Sequence, residues 1–286
     1  GGAIRVSTPY LFVSLGETLT EKSGRVNLGL EGTLLMGAMS GYGASYLTGS
    51  PWLGVLAAAG SGALLGLLHA AVSNLPRVND IAVGIALFIF GTGLAFFLGK
   101  PPRLPTLALG GFSDVPAIRA ALEVSPLFFI GIALAFAMHW ALPNTRWGLI
   151  VRAVGDNAEA ARTAGYPVNR TRTLATTLGG VFAGVAGAFL SLSYPGTWAE
   201  GLSSGQGLMA VALVIFARWN PVHCVWVSLA FGGASALGPA LQTVGVTGYY
   251  YLTGAAPYVL TLALLVASSS RRHRLAGAPG ELSINR

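Results

Sequence analysis

WLGVLAAAGSGALLGLLHAAV, residues Trp52 to Val72, is the stretch on which the fold turns. It contains no Asp, Glu, Lys or Arg, so only its backbone and a few small polar groups resist leaving water. A helix satisfies that backbone internally, and at about 1.5 Å per residue one of this length covers about 30 Å, the thickness of a bilayer's hydrocarbon core. Further apolar blocks of about 18 to 24 residues lie on either side of it. Of the 286 residues, 53% are hydrophobic and 9% are charged, against about 25% charge in soluble domains. These features predict an all-α protein, a polytopic transmembrane helical bundle of about eight to nine apolar segments that include short or half-length helices.

Toward the N-terminus, Leu28 to Leu47 is a span closed by the turn Gly49-Ser50-Pro51. Thr8 to Thr20 is an apolar helix too short to cross alone, set off by Glu21, Lys22 and Arg25. Toward the C-terminus, the polar link Asn74 to Asp80 leads into the span Ile81 to Leu98. Lys100 to Glu123, with Pro101, Pro102, Pro105 and Pro116, reads as a long external loop. Pro126 to Leu142 spans, Pro143 to Arg172 is the longest polar interval between spans, Leu174 to Leu192 spans and Pro195 to Gln206 loops. Leu208 to Ala217 is a half-length helix stopped by Arg218-Trp219-Asn220-Pro221, and Val222 to Val244 and Ala256 to Ala267 complete the set. The domain reading is one transmembrane domain over 1–270, with its polar loop at 143–172, and a basic tail over 271–286. No signal-peptide pattern opens the chain, and its start at Gly1 without methionine is compatible with a missing N-terminal piece.

The net charge of +7 is spread between apolar blocks, not gathered on a soluble module with interleaved aromatics, which argues against nucleic acid and for a lipid bilayer. Lys and Arg concentrate on cytoplasmic loops, so the loop with Arg146, Arg152, Arg162, Arg170 and Arg172 is placed inside. Alternation then puts Arg77, Arg218, Arg271, Arg272 and Arg274 inside too, and Lys100, Arg103 and Arg119 outside. Trp52, Trp140, Trp147, Trp198, Trp219 and Trp226 lie near span ends, where indole rings anchor at the interface. Glycine pairs four apart, Gly37 and Gly41, Gly62 and Gly66, Gly180 and Gly184, bare one helix face and predict close helix packing.

Enzyme chemistry lacks reagents. His69, His139, His223 and His273 are scattered without metal-ligand spacing, and Cys224 is alone. Gly93 through Gly99 and Lys100 resembles a phosphate loop but has one residue too many and is followed by Pro101. If ATP powers this protein, another chain binds it, and no cofactor is assigned to this one.

Val154 to Gly165 is the most specific local signal, a short helix between Gly155 and Gly165 that Asp156 or Asn157 caps and Pro167 closes. Such a helix either transmits force from a partner or is an ordinary amphipathic surface helix. Asn27 and Glu31 are placed on one helix face, four residues apart. Glu31 then lines a polar pathway, or lies at the interface paired with Lys22 or Arg25. Asn79 and Asp80 read as a helix cap, with a solute contact as the alternative. Trp198, near Glu200 and Gln206, could stack a base or sugar, although anchoring is the commoner role.

Three runs carry a resemblance. They are Gly16-Glu17 with Thr20-Glu21-Lys22-Ser23-Gly24-Arg25-Val26-Asn27-Leu28-Gly29-Leu30-Glu31-Gly32, Arg152-Ala153-Val154-Gly155-Asp156-Asn157 with Ala161 and Ala164-Gly165, and Ala210 with Ala212 through Pro221. Together they resemble the permease subunits of ABC importers, in the branch that handles nucleosides, simple sugars and riboflavin (branched-chain amino acid permease-like), from about Thr8 to about Ala267. The resemblance implies a second homologous or identical permease, cytoplasmic ABC ATPases that bind ATP and Mg, an external solute-binding protein and a bacterial inner-membrane location. It also implies that the region of Gly155, Asp156, Asn157, Glu159, Ala161, Arg162 and Gly165 is a coupling helix docking on the ATPase. Asn27, Glu31, Asn79 and Trp198 are the candidate pathway residues. Two departures stand out: an apolar helix usual before Thr8 is missing, and Phe88 stands where many members have Asn. The expectation is alternating-access import of a nucleoside-like solute, or of a simple sugar, riboflavin or other small polar solute. The rivals are a self-contained secondary transporter, for which neither an inverted repeat nor a coupling-ion site is visible, and a non-transporting membrane scaffold.

Overall fold

A computed structural model describes residues 2–99, 125–243, 255–268 and 277–284. Every regular element among them is a helix: α1 (Gly2–Lys22), α2 (Leu30–Thr48), α3 (Pro51–Ser73), α4 (Asp80–Leu98), α5 (Pro126–Asn144), α6 (Arg146–Asp156), α7 (Ala158–Thr163), α8 (Val168–Leu192), α9 (Gln206–Phe216), α10 (Pro221–Thr243), α11 (Ala256–Ser268) and α12 (Gly280–Ile284). Five of them, α3, α4, α5, α8 and α10, are long and apolar enough to cross a membrane by length and composition, and α9 is a shorter apolar helix. The external loop read over Lys100 to Glu123, with Lys100, Arg103 and Arg119, lies outside the described residues, as does the cluster Arg271, Arg272 and Arg274.

The bundle is built around α1. Val6 through Glu21 are all buried there, against α8, α9 and α10. Thr8 to Thr20, read as too short to cross, is therefore the middle of a 21-residue helix, about 31 Å long. Beyond that stretch lie Arg5, Glu21 and Lys22, and a hydropathy pattern alone does not extend across such residues. They are accommodated because α1 faces protein, and Ser7, Ser14 and Thr20 return their hydroxyls to carbonyls one turn earlier. The outer helices show the opposite pattern. Leu56, Leu64, Ile89, Phe97, Phe129 and Phe136 are exposed on α3, α4 and α5, as a lipid-facing wall requires.

Helices α2, α3 and α8 meet along a glycine seam. A Cβ on Gly62 would overlap the Gly180 carbonyl, one on Gly184 the Ala58 carbonyl, and one on Gly37 would strike Gly184. All three glycine pairs noted in the sequence lie at helix contacts, with Gly41 against Gly54 and Gly66 against Thr176 and Thr177.

One helix was not anticipated. α6 occupies the start of the polar interval, and Trp147, Ile150, Val151 and Val154 recur on it at helical spacing, with Val151 and Val154 fully buried. Thr145 caps it, its Oγ1 accepting from the Gly148 N–H at 3.1 Å. The signal was present but was masked by the charges of Arg146 and Arg152.

Candidate functional site

The connections at the basic end of the bundle converge. Helix α7 is the centre of this assembly. Asn157 adopts an extended backbone (φ −157°) that separates α6 from α7, and its Oδ1 accepts the Ala160 N–H at 2.9 Å. Asn157, one of the two residues read as the cap, is thus the cap of α7, whereas Asp156 ends α6; the short helix read between Gly155 and Gly165 is α7, preceded by the last turn of α6. Gly165 ends the turn with φ +84°, a left-handed conformation that suits a residue without Cβ. Gly155 has a different role: a Cβ there would overlap the Lys22 carbonyl, so this glycine lets the end of α6 lie against the end of α1.

The two faces of α7 differ. Ala158 and Ala161 turn inward and pack with Val154 and Val168. Glu159, Ala160, Arg162 and Thr163 are exposed, with Arg162 and Glu159 paired at 3.1 Å on the surface. Ala161, read from sequence among the docking residues, therefore supports the helix from below, and the outward small residue is Ala160.

Beside this assembly is a cavity of about 770 Å³. Glu21, Arg25 and Leu28 line it from the α1–α2 connection, Asn79 and Asp80 from the start of α4, Val211 and Ile215 from α9, and Leu282 from α12. Arg25, Asp80 and Glu21 are each bonded within the wall. Arg25 bonds to Asp80 and to Asn74 Oδ1, the second at 3.3 Å, and Trp219 Nε1 donates to Glu21. Trp219 is only 4% exposed, so it is a buried partner of Glu21 and does not fit the interfacial anchor read for it. Arg218 and Trp219 both have positive φ, 52° and 53°, which closes α9 abruptly and turns the indole toward α1.

The four proposed pathway residues fall in separate places. Asn27 lies in the non-helical turn before α2, where its N–H donates to Glu17 at 2.8 Å and its Oδ1 accepts from Gly29 at 2.9 Å. It shares no helix face with Glu31, because α2 begins only at Leu30. Glu31 is 4% exposed and pairs with neither Lys22 nor Arg25. Its Oε1 accepts from Ser203 Oγ and from the Gly205 N–H at 3.0 Å, and its Oε2 from the Gly207 N–H at 2.6 Å. The carboxylate thus closes the open end of the 11-residue helix α9, where unpaired N–H groups favour negative charge. Asn79 caps α4, accepting from Ile81 and Ala82, and also lines the cavity. Trp198 Nε1 donates to the Gly99 carbonyl at 3.0 Å, tying the loop before α9 to the far end of α4. Glu281 was not singled out, and Arg25 and Trp219 were read only as a possible Glu31 partner and an interfacial anchor, because each acquires its role from a partner distant in sequence.

Apolar outer helices around a polar, loop-lined end define a multi-pass membrane protein. The chain belongs to the family described as branched-chain amino acid transport system / permease component, which it matches over residues 2–269. This is the ABC importer permease family that the three sequence runs resemble. The chain is 30% identical over 288 residues to the guanosine ABC transporter permease NupQ of Bacillus subtilis, covering 93% of this chain and 90% of the relative. It is 35% identical over 247 residues to TsgC13 of Haloferax volcanii, provisionally named a glucose ABC transporter permease, covering 82% of this chain and 74% of the relative. Its fold also matches a structure provisionally assigned to the metal-chelate type of ABC transporter in an inward-facing conformation. That match has TM-score 0.52 and 16% identity over 92% of this chain and 85% of the other.

Proposed function

We propose that this permease imports a nucleoside-like solute by alternating access, with ATP and Mg bound by a partner ATPase and not by this chain. The observation that carries the reading is α7, a capped helix held against α6 and α8 with Glu159, Ala160, Arg162 and Thr163 turned outward. A six-residue helix is too short to persist unaided, so its attachment to the bundle makes it suited to pass on a push. In this reading the basic end faces the cytoplasm of a bacterial cell, and the ATPase docks on α7. Gly155, Asp156 and Asn157 form the joint behind it, Ala161 its inner support and Gly165 its end. A second homologous or identical permease completes the pathway, and an external binding protein delivers the solute at the opposite end.

The nucleoside assignment rests on the guanosine relative, whose match runs nearly end to end. The glucose-named relative supports a simple sugar as the second reading. Glu31 and Trp198 are engaged with the protein itself, so they act by setting the position of α9 and its preceding loop. Solute is expected to meet the cavity surfaces between α4 and α9 instead. The test is to reconstitute the chain in vesicles with its cognate ATPase and binding protein, and to measure ATP-dependent uptake of labelled guanosine and glucose. Guanosine accumulation supports the reading, glucose accumulation alone moves the assignment to sugars, and uptake independent of the ATPase would remove it from this class.

A further inference from the structure

The C-terminal segment 277–284 lies across the basic end and touches every element the coupling reading invokes. Glu281 is its centre. Its Oε1 accepts the Ala158 N–H at the start of α7 at 2.8 Å, and its Oε2 accepts from Arg172 Nη2 at 3.1 Å. Arg172 Nε donates in turn to the Ser23 carbonyl at 3.1 Å. One carboxylate therefore joins the coupling helix, the foot of α8 and the α1–α2 connection. The Arg172 and Glu281 side chains are 11% and 20% exposed, so the pair is less screened than a surface one. Gly280 fits the same arrangement, since a Cβ on it would overlap the Asp156 carbonyl. Gly277 lies near the Arg218 carbonyl at the end of α9, and Ala278 and Leu282 form part of the cavity wall.

We propose that Glu281 is a positioning residue for energy coupling: it ties α7 to α8 and α1, so that a displacement of the coupling helix reaches the cavity through the C-terminal segment. The Asn157 side chain bonds within α7 itself, and the contacts that hold α7 to the rest of the bundle include Ala158, Ala161 and this carboxylate. The inference rests on α7 being the ATPase-coupling helix.

The experiment uses the full-length chain assembled with its ATPase and binding protein in vesicles, reading solute uptake per ATP hydrolysed. Two variants act by different physics: Glu281→Gln removes the charge, and Gly280→Val blocks the approach to Asp156. Both are expected to keep the ATPase bound and hydrolysing while uptake per ATP falls about fivefold or more. Combining Glu281→Gln with Arg172→Gln should cost less than the sum of the two single losses, because the two residues share one contact. Normal uptake per ATP in both single variants, with Ala160→Trp still uncoupling the complex, overturns this proposal and leaves the coupling reading standing. Normal coupling in Ala160→Trp overturns both. Loss of the bound ATPase in Glu281→Gln and Gly280→Val alike would make the segment part of the docking surface and also overturns the positioning role.

Discussion

At Glu31 the chain buries a carboxylate and gives it three donors, Ser203 Oγ and the N–H groups of Gly205 and Gly207. Its sequence context identified a costly ionisable residue in an apolar stretch, but the partners lie more than 170 positions away and no local pattern points to them. Glu31→Gln replaces one acceptor with an amide that cannot accept from all three donors. It should cost about 1–3 kcal/mol of stability, seen as a lower thermal midpoint of the purified protein, while the KM for solute stays unchanged. A raised KM at unchanged thermal stability would return Glu31 to the pathway. Arg218 permits the complementary test. It holds φ +52° without being glycine, a conformation that costs an L-residue about 1–2 kcal/mol. Arg218→Gly relieves that strain and should leave the thermal midpoint unchanged or higher, provided the arginine head makes no compensating contact; a lower midpoint shows that it does.

Helix α7 shows what sequence periodicity can and cannot deliver for an element. Its capping residue type, its terminal Gly165 and its small-residue content were visible in Val154 to Gly165. Which alanine faced outward was not, because a helix of six residues is too short for periodicity to decide. A different limit hid the full extent of α1, where polar residues tolerated by a buried position resemble the end of an apolar segment. Asn157→Ala removes the acceptor for the Ala160 N–H and should weaken α7 by about 1 kcal/mol. Amide hydrogen exchange at residues 158–163 checks it: exchange should quicken there and not in α8. At the other extreme of packing, Gly62→Leu forces α3 away from α8 and should abolish accumulation of folded protein in the membrane.

At the scale of the whole molecule, the arginine distribution and the three-dimensional contacts agree on one end of the bundle. The connections around Arg77, Arg172 and Arg218 were grouped by charge alone, and the fold brings them, together with Arg25, around one cavity and one helix. Helical class and the glycine seams were legible because both follow from local composition. The cavity was not, because its wall draws on α1, α4, α9 and α12 at once. Thr163→Cys and Glu200→Cys, in a Cys224→Ser background, place thiols at exposed positions on the two ends. An impermeant thiol reagent should label Thr163→Cys only from the cytoplasmic side and Glu200→Cys only from the outside; labelling of both from one side would contradict the orientation. The central claim, that ATP energy enters through α7, is tested most directly by bulk on its outward face, measured as solute-stimulated ATP hydrolysis and uptake in the assembled transporter. Ala160→Trp should insert in normal amount and abolish both, because a docking cleft that fits a small residue excludes an indole. Normal stimulation and uptake in a fully inserted Ala160→Trp transporter would contradict the claim.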